Sequence, residues 1–161
     1  MQVLWAPWRM AYVGGPKTPG CIFCNAIETD DLRGHLVLSR QPTLVMLNKF
    51  PYISGHLLVA PRRHTAQLGA LPSEEFRTLM DTLRRAATVL GETLHAEGMN
   101  VGMNLGAAAG AGVADHLHWH IVPRWVGDTN FMPLLAEVRV VPEHLETMYD
   151  RLKPLFEPVA L

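Results

Sequence analysis

Three things are scarce in this sequence. It has two cysteines in 161 residues, too few for the disulfide framework of a small secreted scaffold. It has no charge surplus: 14 Lys+Arg stand against 15 Asp+Glu, a formal net charge of -1. That balance excludes an extended nucleic-acid-binding face, which needs a basic excess. No apolar run approaches the ~18 residues of a membrane-spanning helix. The opening stretch MQVLWAPWRM has no basic segment ahead of an apolar core, so it does not read as a secretory signal, and with only two cysteines the cytoplasm is the expected compartment. What is present is a 48% hydrophobic, 18% charged composition, which suits one globular domain with a proper core. Histidine is abundant. There are eight, and three sit together.

Proline and glycine punctuate the chain. Gly14 to Gly20 (GGPKTPG) sets off an N-terminal arm, 1–20. Its Leu4-Trp5-Ala6-Pro7-Trp8-Arg9 is too apolar to stand in water and is expected to pack on the body or on a partner subunit. Runs at His35–Ser39, Thr43–Asn48 and His56–Ala60 read as strands. From Ser73 the period lengthens: Phe76, Leu79, Met80, Leu83, Ala87, Leu90 and Leu94 recur at helical spacing. Ser73 would be the N-cap, Glu74 and Glu75 the first turn, and Gly98 the stop. Asn100–Leu105 and His116–Val122 read as two further strands around the loop Gly106–Gly112 (GAAAGAG). Pro142 would open a last helix burying Leu145, Met148, Leu152 and Leu155. About five strands and two main helices predict an α+β fold with an antiparallel sheet. The expected organisation is one domain over 1–161, with its core at 21–124 and a helical extension at 125–161.

The run His116-Leu117-His118-Trp119-His120-Ile121-Val122 alternates imidazole with bulky apolar residues. On a strand, positions i, i+2 and i+4 share a face at about 6.5 Å spacing. The three rings would then line one side while Leu117, Trp119 and Ile121 bury the other. Chance yields such a row roughly 0.02 times in a chain of this composition, so a chemical role outweighs an incidental one. Two chemistries fit. Three imidazoles could hold a zinc ion with an open position for water. Alternatively, one imidazole could attack a phosphorus atom while its neighbours stabilise oxyanions and protonate the leaving group. The glycine-rich loop ahead of the row favours the second, because glycines let backbone N–H groups crowd an anion.

The stretch from His116 through Ile121-Val122-Pro123-Arg124 resembles the signature of the histidine triad (HIT) superfamily of nucleotide hydrolases and transferases. Cys21-Ile22-Phe23-Cys24 is similar to the family's N-terminal Cys-x-x-Cys. Leu47-Asn48, Ser54-Gly55-His56-Leu57-Leu58-Val59 and Pro61-Arg62-Arg63-His64 are similar to its middle strands. The flanks, Leu4 to Arg9 and Arg124 to Phe131, resemble a bacterial branch related to diadenosine tetraphosphate phosphorylases and Fhit-like dinucleoside polyphosphate hydrolases.

The resemblance implies a HIT-like fold, its sheet extended across the two-fold axis of a homodimer, and a nucleotide or dinucleoside polyphosphate substrate. His118 would be the nucleophile that forms a nucleotidyl-histidine intermediate, with His116 and His120 as catalytic partners. Asn48, His56, Asn104, Gly110 and Gly112 would bind substrate. The acceptor of the nucleotidyl group, water or phosphate, is left open, as is a nucleoside phosphoramidase activity. One departure stands out: family members carry Gln then Ser or Thr before the triad, whereas this chain has Ala111-Gly112-Val113-Ala114-Asp115. Phosphate contacts would then fall to backbone N–H groups.

A Cys-x-x-Cys pair alone is compatible with redox use, metal binding or two plain thiols. A thioredoxin-like βαβ context is missing, and zinc needs two further ligands. By resemblance, Cys21, Cys24, His64 and His116 would hold a structural zinc, with no organic cofactor implied. His35, His95 and His144 receive no role. Arg62, Arg63 and Arg124 could steer a polyphosphate, and Trp5, Trp8 and Trp125 are expected in the core or at an interface more than on a base.

Overall fold

Val- and Leu-rich segments form five short strands in one antiparallel sheet, ordered β1-β2-β3-β5-β4. The strands are β1 (Val37–Ser39), β2 (Leu44–Leu47), β3 (Leu57–Ala60), β4 (Gly98–Met103) and β5 (Trp119–Arg124). Among the described residues three α-helices accompany them: α1 (Ile22–Glu28), α2 (Ser73–Leu94) and α3 (Leu145–Phe156). This computed structural model describes residues 19–128 and 143–156. The expected N-terminal arm, the Pro142 helix start and the segment through Phe131 lie outside the described residues.

Strands β1 to β3 are largely buried on both faces while β4 is mostly exposed, and strand alternation sorts the side chains. Leu38, Val45, Leu47, Leu57, Val59, Trp119 and Ile121 face α2 and α3, meeting Leu79, Ala86, Leu90, Met148, Tyr149, Leu152 and Phe156. On the other face Val37, Leu44, Met46, Leu58 and Ala60 meet Phe23, Ala26 and Ile27 of α1. Leu117, Trp119 and Ile121 therefore bury the side opposite the histidines, as the alternation requires.

Several expected boundaries move, each for a local reason. Leu36 adopts φ 56°, so β1 starts at Val37 rather than His35. Pro72 takes the N-cap place and Ser73 is the first helical residue of α2. That helix ends at Leu94, because His95 turns left-handed at φ 50°, and Gly98 opens β4 instead of stopping a helix. The β5 ladder begins at Trp119, not His116: Trp119 pairs with Val59, and two residues beyond Val59 stands Pro61, which has no N–H to donate. Leu117 N–H donates instead to Thr65 O at 2.8 Å. In α3 the buried stripe runs Met148, Tyr149, Leu152, Phe156, with Leu145 packed against it. Leu155, expected inside, is one position out of phase and 43% exposed. The sequence reading contained no α1, although Phe23, Ala26 and Ile27 sit at i, i+3 and i+4.

Candidate active site

The three row histidines converge on the α1 face, each with a different partner. His118 is 5% exposed and its Nδ1–H donates to the carbonyl of His116 at 2.9 Å. A carbonyl only accepts, so the neutral His118 ring keeps its lone pair on Nε2. His56 is fully buried just before β3. Its Nδ1 accepts from the Tyr52 N–H at 3.1 Å and lies 3.3 Å from Asn48 Nδ2. The His56 proton is therefore on Nε2, which donates to His120 Nδ1 at 2.9 Å. His120 in turn carries its proton on Nε2. The His118 and His120 rings stand 5.1 Å apart, nearly edge to face. Burial, reinforced by neighbouring His118, holds the His120 ring below its ordinary titration value. The geometry thus offers a lone pair on one imidazole and an N–H on the next.

His116 turns the other way. Its Nε2–H donates to Pro61 O at 2.9 Å, leaving the Nδ1 lone pair facing Cys21 Sγ at 3.3 Å, Cys24 Sγ at 3.7 Å and His64 Nδ1 at 3.2 Å. Cys24 Sγ lies 3.3 Å from His64 Nδ1, and all four donor atoms fall within 4.8 Å of one another. Ligands of a tetrahedral ion with zinc-like bonds stand about 3.4 Å (N–N) to 3.8 Å (S–S) apart, so this quartet could hold such an ion. His64 Nε2 points toward Asp115 Oδ2 at 3.7 Å, the outward partner expected of a ligating ring. Burial lowers the His116 ring's proton affinity and raises the Cys24 thiol.

The segment 30–126 matches the HIT domain family. The chain belongs to the HIT domain family. The AP-4-A phosphorylase of Mycobacterium tuberculosis is 35% identical over 154 residues, which are 90% of this chain and 79% of that protein. The bis(5'-adenosyl)-triphosphatase of Dictyostelium discoideum is 28% identical over 131 residues, 78% of this chain and 87% of the other. The crystal structure of a Zn-bound histidine triad family protein from Mycobacterium smegmatis aligns with a TM-score of 0.66 at 30% identity, covering 85% of this chain and 93% of its own.

In this HIT domain a cavity of about 560 Å³ opens beside His120 along β4 and β5, lined in part by Tyr52, Asn100, Gly102, Asn104 and Arg124. Gly102 pairs with His120 across the ladder. Of the residues expected to bind substrate, Asn104 lines the cavity, and its Nδ2 also donates to Ala109 O at 2.7 Å, pinning the glycine loop. Asn48 accepts from the Phe50 N–H at 2.9 Å and supports His56, while buried His56 does not line the cavity but touches His120 and Tyr52, which do. Gly106 and Gly110 need their positive φ of 79° and 84° for the turn around Ala107–Ala109. Gly110 and Gly112 are exposed and do not line the cavity; a Cβ on Gly112 would meet nothing within 4 Å. The loop does not run straight into β5, since a turn at 113–116 intervenes.

The cations are engaged within the protein. Arg124 pairs with Asp128 and Asn100, Arg63 with Glu75, and Arg62 donates to Arg40 O. Trp125 Nε1–H donates to His95 O at 3.1 Å, tying β5 to the end of α2. Sequence reasoning missed Tyr52, whose ring stacks on His120 at 6.0 Å and 19°. Its signal was an aromatic residue between Asn48 and His56.

Proposed function

We propose that this chain cleaves the α-phosphate linkage of a dinucleoside polyphosphate, such as diadenosine tetraphosphate, by double displacement through His118. The observation that carries the reading is the Nδ1–H bond of His118 to the His116 carbonyl, which reserves Nε2 as nucleophile. Nε2 attacks the α-phosphorus and the bond to the bridging oxygen breaks. The nucleotide departs as an anion whose freed oxygen accepts a hydrogen bond from His120 Nε2–H, and the His56 Nε2–H bond to His120 Nδ1 holds that tautomer in place. An acceptor then breaks the P–N bond and frees His118. The M. tuberculosis relative is named a phosphorylase, which supports inorganic phosphate as that acceptor. Product analysis with diadenosine tetraphosphate, with and without phosphate, tests this. ADP formed only with phosphate is expected. AMP and ATP formed without it would make the protein a hydrolase, and no cleavage of any nucleoside phosphoanhydride or phosphoramidate would sink the reading.

Cys21, Cys24, His64 and His116 are proposed to hold zinc; the donor set, the spacing and the Zn-bound relative support this. With four protein ligands such an ion has no open position for water, so its contribution is structural. The cytoplasm, where thiols stay reduced, is the proposed compartment. A homodimer is proposed through β4, the outer strand of the sheet, whose Val101 is exposed. No nucleic acid or membrane is proposed as partner. Among the described residues no helix is long and apolar enough to cross a membrane.

A further inference from the structure

One hydrogen bond does not hold an imidazole still. The Nδ1–H bond to the His116 carbonyl restrains one edge of the His118 ring, yet rotation about Cβ–Cγ can swing Nδ1 off that carbonyl and free the tautomer. The second restraint comes from Phe23. This side chain is 1% exposed, so it does not reach solvent or a cavity. Its ring centroid lies 4.8 Å from that of His118 at 32° and 5.1 Å from that of His116 at 49°. It is itself clamped against the sheet with Leu44, Met46, Leu58 and Ala60. Phe23 also sits in the first turn of α1, between Cys21 and Cys24. The helix turn that carries both sulfurs thus carries the ring that packs on the triad.

We propose that Phe23 is a positioning residue for His118: its flat face and the His116 carbonyl together aim Nε2, and the Cys/His quartet anchors both. This rests on the reading of His118 as nucleophile. Two separate restraints matter because the attacking nitrogen must stay aligned with the phosphorus while the P–O bond breaks. A side chain of equal bulk without a flat face fills the space but leaves the imidazole plane free.

Phe23→Met keeps the volume and is the kind of core exchange best tolerated. Full-length, zinc-loaded, ¹⁵N-labelled wild type and F23M are compared in two-bond ¹H–¹⁵N spectra at one fixed pH. The His118 signals are assigned by their absence in His118→Ala. The wild type is expected to show a single Nδ1–H tautomer, and F23M a mixture with Nε2–H, at unchanged zinc content. In diadenosine tetraphosphate cleavage kcat should fall by about 10- to 100-fold while KM moves less than about twofold. A pure Nδ1–H signal in F23M overturns the proposal, whatever happens to turnover. Should F23M fail to fold, the same spectrum of Phe23→Leu decides. A wild type that cleaves no nucleotide overturns the functional reading instead and leaves the spectral comparison standing.

Discussion

Two corners of this molecule are built from the same side chain and do opposite things. In the quartet corner, His116 donates from Nε2 to a proline carbonyl and presents Nδ1 to two sulfurs and a second imidazole. Two residues on, His118 donates from Nδ1 to a carbonyl and presents Nε2. Neither difference is visible in the residue type. The partner of one ring nitrogen decides what the other can do. Pro61 is central to the contrast: lacking an N–H, it ends the β3–β5 ladder, and its carbonyl then takes the His116 proton. The two corners are joined by His116, which meets the quartet with its side chain and His118 with its carbonyl.

Removing the proposed nucleophile should have the largest effect. His118→Ala is expected to lower turnover by about 10⁴-fold or more, with nucleotide binding largely kept. Steady-state kinetics beside equilibrium binding checks this; activity within tenfold of wild type would remove His118 from the mechanism. Next comes the proton side of the same corner. His120→Ala should cost about 10²- to 10⁴-fold with diadenosine tetraphosphate. A loss of less than about tenfold would argue against a role of His120 Nε2–H at the leaving oxygen.

The quartet corner should yield a smaller change in chemistry and a larger one in metal. Cys21→Ser combined with Cys24→Ser is expected to lose bound zinc and melt at lower temperature. Turnover should drop by about 10- to 100-fold at most, as when a supporting shell is removed. Elemental analysis and thermal melts check it; zinc kept at full occupancy would move the ion to the triad row and erase the contrast. The smallest effect is in acid stability. Burial holds the folded His120 ring below its ordinary value of 6.5, so the unfolded chain takes up the proton first. Its contribution to stability is complete above that value and is lost as pH falls through it toward the lowered folded one. Melting of wild type beside His120→Asn across this window should show the steeper decline in wild type. Parallel curves would mean that His120 is not held neutral.

Much of this arrangement is written locally in the sequence. The alternation of His116, His118 and His120 with Leu117, Trp119 and Ile121 fixes which residues share a face, and the register follows from burial of one set. The period of Leu79, Leu83, Ala87 and Leu90 marks α2, although it is Ala86 rather than Ala87 that is fully buried. The rest depends on contacts distant in the chain. Nothing near His116 announces that Pro61, 55 residues earlier, will take its proton. The short α1 has Cys21 at its N-cap position, with no side-chain capping bond, and its apolar stripe matters only once it meets β2 and β3. Asn48 and His56 stand out as polar residues beside strands, yet it is the fold of the β2–β3 turn that brings Asn48 Nδ2 and the Tyr52 N–H to His56 Nδ1. The left-handed His95 overrides the glycine stop expected three residues later.

One position gives the cavity an adjustable wall. Gly102 faces His120 across the β4–β5 ladder, and directly paired residues project to the same side of a sheet. A Cβ built there meets nothing within 4 Å. Its backbone needs no positive φ, so the glycine is there for room rather than for conformation. A methyl at this one site would reach into the space beside His120 without displacing an atom of the sheet. The shape of that space can then change by a single-codon step while His118, its tautomer and the Cys/His quartet stay as they are.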